Sequence, residues 1–186
     1  MQRFVLLGFL MHFGILDLGT ASLRATVFQR TAKRPASGHP LPLKPVYHQR
    51  FMPRLGSSLY RTGRLSEKGR EETMLCCEKI VSDLEKFPKL ILRAAATSAL
   101  REAEDGGEFI YQIQERFSLP MSIIDGVREA ELTAKGILAF DDLPDEPLLC
   151  IDIGGGSTEV SFVDQQKIQQ SLSLPLGSIR CTEMFL

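Results

Sequence analysis

Leu148–Val160, LLCIDIGGGSTEV, is an apolar run that ends on a carboxylate and breaks into three consecutive glycines followed by two hydroxyl side chains. Leu148–Ile151 has the length and composition of a buried strand. It feeds the turn Asp152-Ile153-Gly154-Gly155-Gly156-Ser157-Thr158. Glycines in such a turn let backbone N–H groups face a phosphate with no side chain in the way. Ser157 and Thr158 add two hydroxyl donors. The carboxylate of Asp152 would repel a phosphate unless a cation lay between them, so the combination implies Mg²⁺. A tight structural hairpin would need the same glycines, and one such turn alone leaves both readings open.

The motif occurs twice. Asp17-Leu18-Gly19-x-x-Ser22 precedes Asp152-Ile153-Gly154-x-x-Ser157, and each copy follows an apolar strand and leads into another strand. Gly19, Thr20 and Ser22 beside Asp17 repeat the phosphate logic. The pattern is neither a Walker A loop, since GxxxxGK[ST] is absent, nor a dinucleotide fingerprint, since strands rather than helices follow the glycines.

Around the two turns, Ile15–Leu18, Leu23–Gln29 and Val46–Met52 read as strands, with a loop over 32–45. Ser66 caps a helix to about Phe87, with Met74, Cys77, Val81 and Leu84 on its apolar face. Leu90–Ala96 is a strand, Glu108–Phe117 a helix and Met121–Ile124 a strand. Asp125 caps a helix from about Gly126 to Phe140 whose buried stripe is Ala130, Ala134, Ile137 and Leu138. Glu159–Val163 and Lys167–Leu174 make a hairpin about Asp164-Gln165-Gln166. Thr182 has the character of a cap on a last helix. Alternation of strands and helices means an α/β fold. The expected organisation is an N-terminal tail over 1–14, a first subdomain over 15–122 and the start of a second over 123–186.

Composition is that of a globular chain: 186 residues, 44% hydrophobic and 24% charged, enough to bury a core. A net charge of -1 leaves no bulk field for nucleic acid. The four cysteines, Cys76, Cys77, Cys150 and Cys181, have no zinc spacing and read as free thiols in a reducing cytosol. The apolar first sixteen residues could be taken for a signal segment. Read more simply, they are an extra tail running into the first core strand of a cytoplasmic protein without a membrane span. His12, His39 and His48 receive no role.

Six blocks, ILDLGTASLRATVF, RTGRLSEKG, RAAATSALREAED, DGVREAELTAKGIL, CIDIGGGSTEVSFV and SLPLGSIRCTEMF, resemble in content and order those of the exopolyphosphatase / guanosine-pentaphosphate phosphatase family. The resemblance implies the actin-like (ribonuclease H-like) ATPase fold, with two related subdomains closing around a cleft. It implies a Mg²⁺-dependent phosphohydrolase that removes the terminal phosphate from inorganic polyphosphate or guanosine pentaphosphate. Glu129 takes the position of the family's general base. Asp152 and Glu159 match the carboxylates that help hold metal and water, and Asp17 belongs to the first turn. Arg24, Thr97, Ser98 and Arg101 match residues lining the phosphate side of the first subdomain.

Without the resemblance, Glu129 reads as a helix N-terminal acid, Arg101 as a partner for an acid on its own helix, and Thr97-Ser98 as a cap. Three departures stand out. Ala21 replaces the Asn usual in the first turn, Val127 and Arg128 stand where acids are usual, and Glu131 stands where Arg is usual. Arg128 and Glu131 are spaced to pair. The resemblance also implies a second subdomain longer than the residues after 123. The remainder would come from further chain or from another chain, a homodimer among them. An apolar sheet face would then be exposed in isolation, favouring self-association.

Overall fold

A computed structural model describes residues 11–30, 43–139, 143 and 146–186. The first ten residues of the expected tail, most of the loop expected over 32–45, and Phe140 at the expected helix end lie outside the described residues.

The chain opens with β1 (His12–Leu18), β2 (Leu23–Arg30) and β3 (Leu43–Phe51). Leu23, Ala25 and Val27 alternate with more exposed residues and are fully buried, as period-two strands with one covered face require. β1 begins three residues earlier than the expected Ile15, and its His12 ring rests 5.4 Å from the Phe87 ring. After the short helix α1 (Leu59–Thr62) comes α2 (Glu67–Leu84). The Ser66 hydroxyl accepts from Gly69 N–H at 3.2 Å and caps α2. A β-carbon on Gly69 would stand 2.7 Å from Leu55 Cα, so glycine lets the helix start lie against that segment. The face of α2 that is buried runs through Thr73, Cys77, Ile80 and Leu84, with Met74 and Val81 packed at its margin.

β4 (Leu90–Ala96), α3 (Ser98–Glu102), α4 (Gly106–Phe117) and β5 (Met121–Ile123) complete the first unit. Its five-stranded sheet has the order β3-β2-β1-β4-β5. β1–β2 and β2–β3 are antiparallel; β1–β4 and β4–β5 are parallel. Leu16, Leu18, Cys77, Ile80, Phe109, Ile113 and Met121 form one continuous core. Each fully buried large side chain contributes roughly 1.5–3 kcal/mol.

The second unit contains α5 (Gly126–Leu138), β6 (Leu148–Ile153), β7 (Thr158–Asp164), β8 (Lys167–Leu174) and α6 (Ser178–Phe185). The Asp125 carboxylate accepts from Arg128 N–H at 2.7 Å and caps α5. Arg128 and Glu131 pair at 3.0 Å, as their spacing suggested. β6-β7-β8 is an antiparallel meander, and α5 covers one of its faces through Ala134, Cys150 and Val163.

The opposite face is bare among the described residues. Leu149, Ile151 and Ile153 are 61%, 54% and 71% exposed. The expectation that Leu148–Ile151 is buried is therefore corrected: only Cys150 is buried. An apolar run shows that both faces suit a core, not that both are covered. The last helix starts at Ser178, so Thr182 is no cap. It lies inside α6 and donates its hydroxyl to Ser178 C=O at 2.8 Å. Architecture and strand order are those of the actin-like ATPase fold. Among the described residues no helix is long and apolar enough to cross a membrane.

Candidate active site

The two glycine turns close in the same way: Gly19 N–H donates to Ser22 C=O and Gly154 N–H to Ser157 C=O, both at 2.9 Å. They face one another across a cleft of about 610 Å³. From the first unit it is lined by Asp17, Gly19, Thr20, Ser22, Arg24, Thr97 and Ser98. From the second come Glu129, Asp152, Gly154, Gly155, Gly156, Ser157 and Glu159. Parallel pairing of β1 with β4 sets Leu18 beside Ala96, and Thr97 N–H donates to Leu18 C=O at 3.0 Å. Leu18 and Thr97, 79 positions apart in sequence, thus meet at one end of the sheet.

Two expected site residues do not line the cleft. Thr158 donates its hydroxyl to Leu176 C=O at 2.5 Å. Arg101 lies behind Glu129, where its Nη1 donates to Glu129 Oε2 at 3.1 Å and to Ile124 C=O at 2.9 Å. The Arg101 partner is thus on α5, not on its own helix.

The environment of Glu129 suits a base. Burial pushes its pKa up to about 7, and the neighbouring Glu159 carboxylate adds to the rise; hydrogen bonding and charge from Arg101, with a hydrogen bond from Thr97, oppose it. Desolvation disfavours the charged carboxylate, and a nearby like charge does the same. Glu159 is buried and accepts from Ser173 Oγ at 2.7 Å. It stands directly opposite Asp152 on the β6–β7 pair. Asp17 is also raised, chiefly by burial; Arg24, 3.8 Å away, pulls it down and Asp152 pushes it up. Asp17 therefore senses the Asp152 carboxylate across the cleft.

Among the described residues no three His, Cys, Asp or Glu side chains form a group ready to hold a metal ion. The mutually repelling pair Asp17 and Asp152 nevertheless suits Mg²⁺, which binds through one or two carboxylates together with phosphate oxygens and water.

The glycines also have a packing role. A β-carbon on Gly156 would fall 2.1 Å from Tyr60 OH, 2.3 Å from Ser98 Oγ and 2.7 Å from Thr20 Oγ1. Among the described residues, the Thr20 and Tyr60 hydroxyl oxygens are buried without a hydrogen-bond partner. Such groups carry a desolvation cost unless something bonds them.

α6 locks this contact. Ser178 N–H donates to Gly154 C=O at 3.0 Å and Ile179 N–H to Gly155 C=O at 2.8 Å. Arg180 Nε donates to Gly156 C=O at 2.7 Å, its guanidinium pairs with Glu102, and it lies 4.1 Å over the Tyr60 ring. Glu102 in turn accepts from Ser98 Oγ at 3.0 Å. The Glu183 carboxylate accepts from the backbone N–H groups of Ser58 and Tyr60. Sequence reasoning missed Tyr60, Glu102, Arg180 and Glu183. Arg180 and Glu183 lie inside the SLPLGSIRCTEMF block, which was the available signal.

The sequence profile of the Ppx/GppA phosphatase family matches residues 31–186. The chain is 28% identical over 183 residues to exopolyphosphatase 1 of Mycobacterium tuberculosis, covering 95% of this chain and 49% of that protein. It is 32% identical over 146 residues to a bifunctional 3-dehydroquinate synthase/phosphatase of Fusobacterium nucleatum, covering 76% of this chain and 22% of that protein. The chain thus spans half or less of the length of these relatives. Among solved structures, the Aquifex aeolicus member of the Ppx/GppA family superposes with a TM-score of 0.77 at 27% identity, over 95% of this chain and 55% of that one. An exopolyphosphatase from Cytophaga hutchinsonii gives 0.84 at 24% identity, over 94% and 53%. With its paired turns, the cleft between them and this match over most of its length, the chain belongs to the Ppx/GppA phosphatase family.

Proposed function

We propose that this chain carries the catalytic face of a Mg²⁺-dependent phosphohydrolase. It would remove the terminal phosphate from inorganic polyphosphate or from guanosine pentaphosphate, giving guanosine tetraphosphate in the second case. The observation that carries this reading is Glu129: a carboxylate between two phosphate turns whose proton affinity sits at about 7. A water oxygen bonds to the terminal phosphorus, the bond to the bridging oxygen breaks, and the water proton passes to Glu129 Oε. The shortened phosphate chain leaves with the bridging oxygen. A base tuned near the working pH combines ionisation with driving force.

Asp17 and Asp152, with Glu159, are the residues that would hold Mg²⁺, which supplies neutralisation of phosphate charge. The turn amides and the hydroxyls of Thr20, Ser22 and Ser157 orient the phosphate oxygens. Free thiols at Cys76, Cys77, Cys150 and Cys181 support a cytoplasmic setting.

The test is orthophosphate release from each substrate with Mg²⁺. Glu129→Gln should lower the rate by roughly 10²–10⁴-fold; a variant of undiminished rate would remove Glu129 from the mechanism. A second reading is a non-catalytic module that binds polyphosphate or the guanosine polyphosphates. The departures at Ala21 in the first turn and at Glu131 two residues after Glu129 favour it. Binding without release by the wild-type chain would select it.

A further inference from the structure

β8 ends in Ser171-Leu172-Ser173-Leu174 with its polar and apolar residues on the reverse of the usual faces. Both leucines are exposed, and both serines are turned toward α5. Small residues recur every four positions along α5, at Gly126, Ala130 and Ala134, and each lies over one rung of the β7–β8 pair. Ala134 packs with Val163, whose register partner is Ile168. Ala130 C=O accepts from Ser161 Oγ at 3.2 Å, and Ser161 Oγ shares a hydrogen bond with Ser171 Oγ at 2.8 Å. Over the rung nearest the glycine turn, a β-carbon on Gly126 would stand 2.4 Å from Ser173 Cβ and 2.6 Å from Ser173 Oγ.

The register partner of Ser173 on that rung is Glu159, and the Ser173 hydroxyl donates to Glu159 Oε1 at 2.7 Å. Glu159 lines the cleft, but Ser173 does not; it lies with Arg101, Asp125 and Gly126 at a second cavity of about 430 Å³. Two residues outside the cleft thus grip carboxylates within it: Arg101 holds Glu129, and Ser173 holds Glu159. A hydrogen bond to an ionised acceptor is stronger than one between neutral groups. The close approach of Gly126 also leaves the Ser173 hydroxyl little room to turn.

We propose that Ser173 is a positioning residue: wedged under the start of α5, its hydroxyl fixes Glu159 in the orientation in which that carboxylate joins Asp152 in holding Mg²⁺. This rests on the reading of Asp152 and Glu159 as metal-holding residues, and not on phosphate release. Partners that orient a ligating carboxylate commonly contribute about 10–100-fold to metal affinity or rate.

The experiment is calorimetric titration of the whole chain with Mg²⁺, paired with phosphate release from inorganic polyphosphate. Ser173→Ala should weaken Mg²⁺ binding by about 10–100-fold. It should lower kcat while leaving the KM for polyphosphate unchanged, because Ser173 does not line the cleft. Ser173→Cys fills the same space with a weak donor and should show the same loss, so a folding failure of the alanine variant does not remove the test. Ser171→Ala deletes a comparable hydroxyl one rung away and should leave Mg²⁺ affinity unchanged. With Glu159→Gln already in place, Ser173→Ala should cost no further Mg²⁺ affinity.

Unchanged Mg²⁺ affinity in the Ser173 variants, an equal loss in Ser171→Ala, or a loss that adds in full to that of Glu159→Gln overturns the proposal. Phosphate release by the parent chain alongside any of these leaves the hydrolase reading standing. A parent chain that binds no Mg²⁺ also overturns the proposal. Weakened Mg²⁺ binding confined to the Ser173 variants, in a chain that releases no phosphate, would sink the hydrolase reading and leave the positioning role intact.

Discussion

Glu129 and Arg101 work against each other at atomic range. Burial and Glu159 hold the Glu129 proton on, while the Arg101 guanidinium at 3.1 Å helps take it off. If Glu129 is the base, the rate should rise with pH along a limb with an apparent pKa of about 7. Arg101→Ala removes the lowering influence, so that limb should move to higher pH. A pH–rate profile with the limb unmoved, or moved to lower pH, would show that Arg101 does not act through Glu129. Stability carries the same sign. A carboxyl whose folded pKa is raised favours folding most when protonated, below its ordinary 4.5, and that contribution is lost as pH rises through about 7. Glu129→Gln should therefore lose less stability than the parent between pH 5 and about pH 8. Urea midpoints across that range check it; Asp17, raised in both proteins, cancels in the comparison. The sequence placed Glu129 in the first turn of a helix without showing which charges would surround it. The answer lay in the β6–β7 register that puts Glu159 beside Asp152, and in Arg101 arriving from α3. Neither is a local property of the chain.

At the scale of the element, α6 decides how the second turn meets the first. Arg180 touches the Gly156 carbonyl, the Glu102 carboxylate and the Tyr60 ring at once, and its side chain is only 12% exposed. Arg180→Ala should cost about 1–3 kcal/mol, since it strands a charged acceptor and a carbonyl. Arg180→Lys should recover only part of that, because lysine lacks the planar fork and the stacking face. Gly156→Ala tests the contact from the other side. With three hydroxyl oxygens within 2.1–2.7 Å of the new β-carbon, overpacking of about 1–3 kcal/mol is expected. Thermal unfolding of the three variants measures this, and a Gly156→Ala protein as stable as the parent would show that the turns do not touch in solution. The longer strands and helices were legible because their apolar residues recur over many positions. α1, four residues, and α3, five residues, are too short to show a period. Their placement comes from tertiary contacts: Leu59 and Leu100 are buried in the first core.

At the scale of the whole molecule, the alternation of strands and helices read as an α/β fold, and two sheets are present among the described residues. What an apolar run cannot reveal is how many of its faces are covered. Leu149 sits directly across from Phe162, and Ile151 from Val160. Together with Leu172 and Leu174, and with Val160 half-buried, they make an apolar face that nothing covers among the described residues, on the side of the second sheet away from α5. Contiguous apolar surface of this kind drives association, and the twisted edges of β6 and β8 add unpaired backbone groups. The chain should therefore associate in a concentration-dependent way, visible as a rising weight-average mass in sedimentation equilibrium. Leu149→Thr with Ile151→Thr puts β-branched side chains at both positions of the strand while removing the apolar face. This double variant should shift the equilibrium toward monomer and change folding stability by less than about 1 kcal/mol, because both positions are more than half exposed. Val163→Ala, on the face that α5 covers, should do the reverse, losing about 1–3 kcal/mol of stability with association unchanged. If the threonine variant associates as strongly as the parent, contact between chains runs through some other surface, and the bare face is not what brings them together.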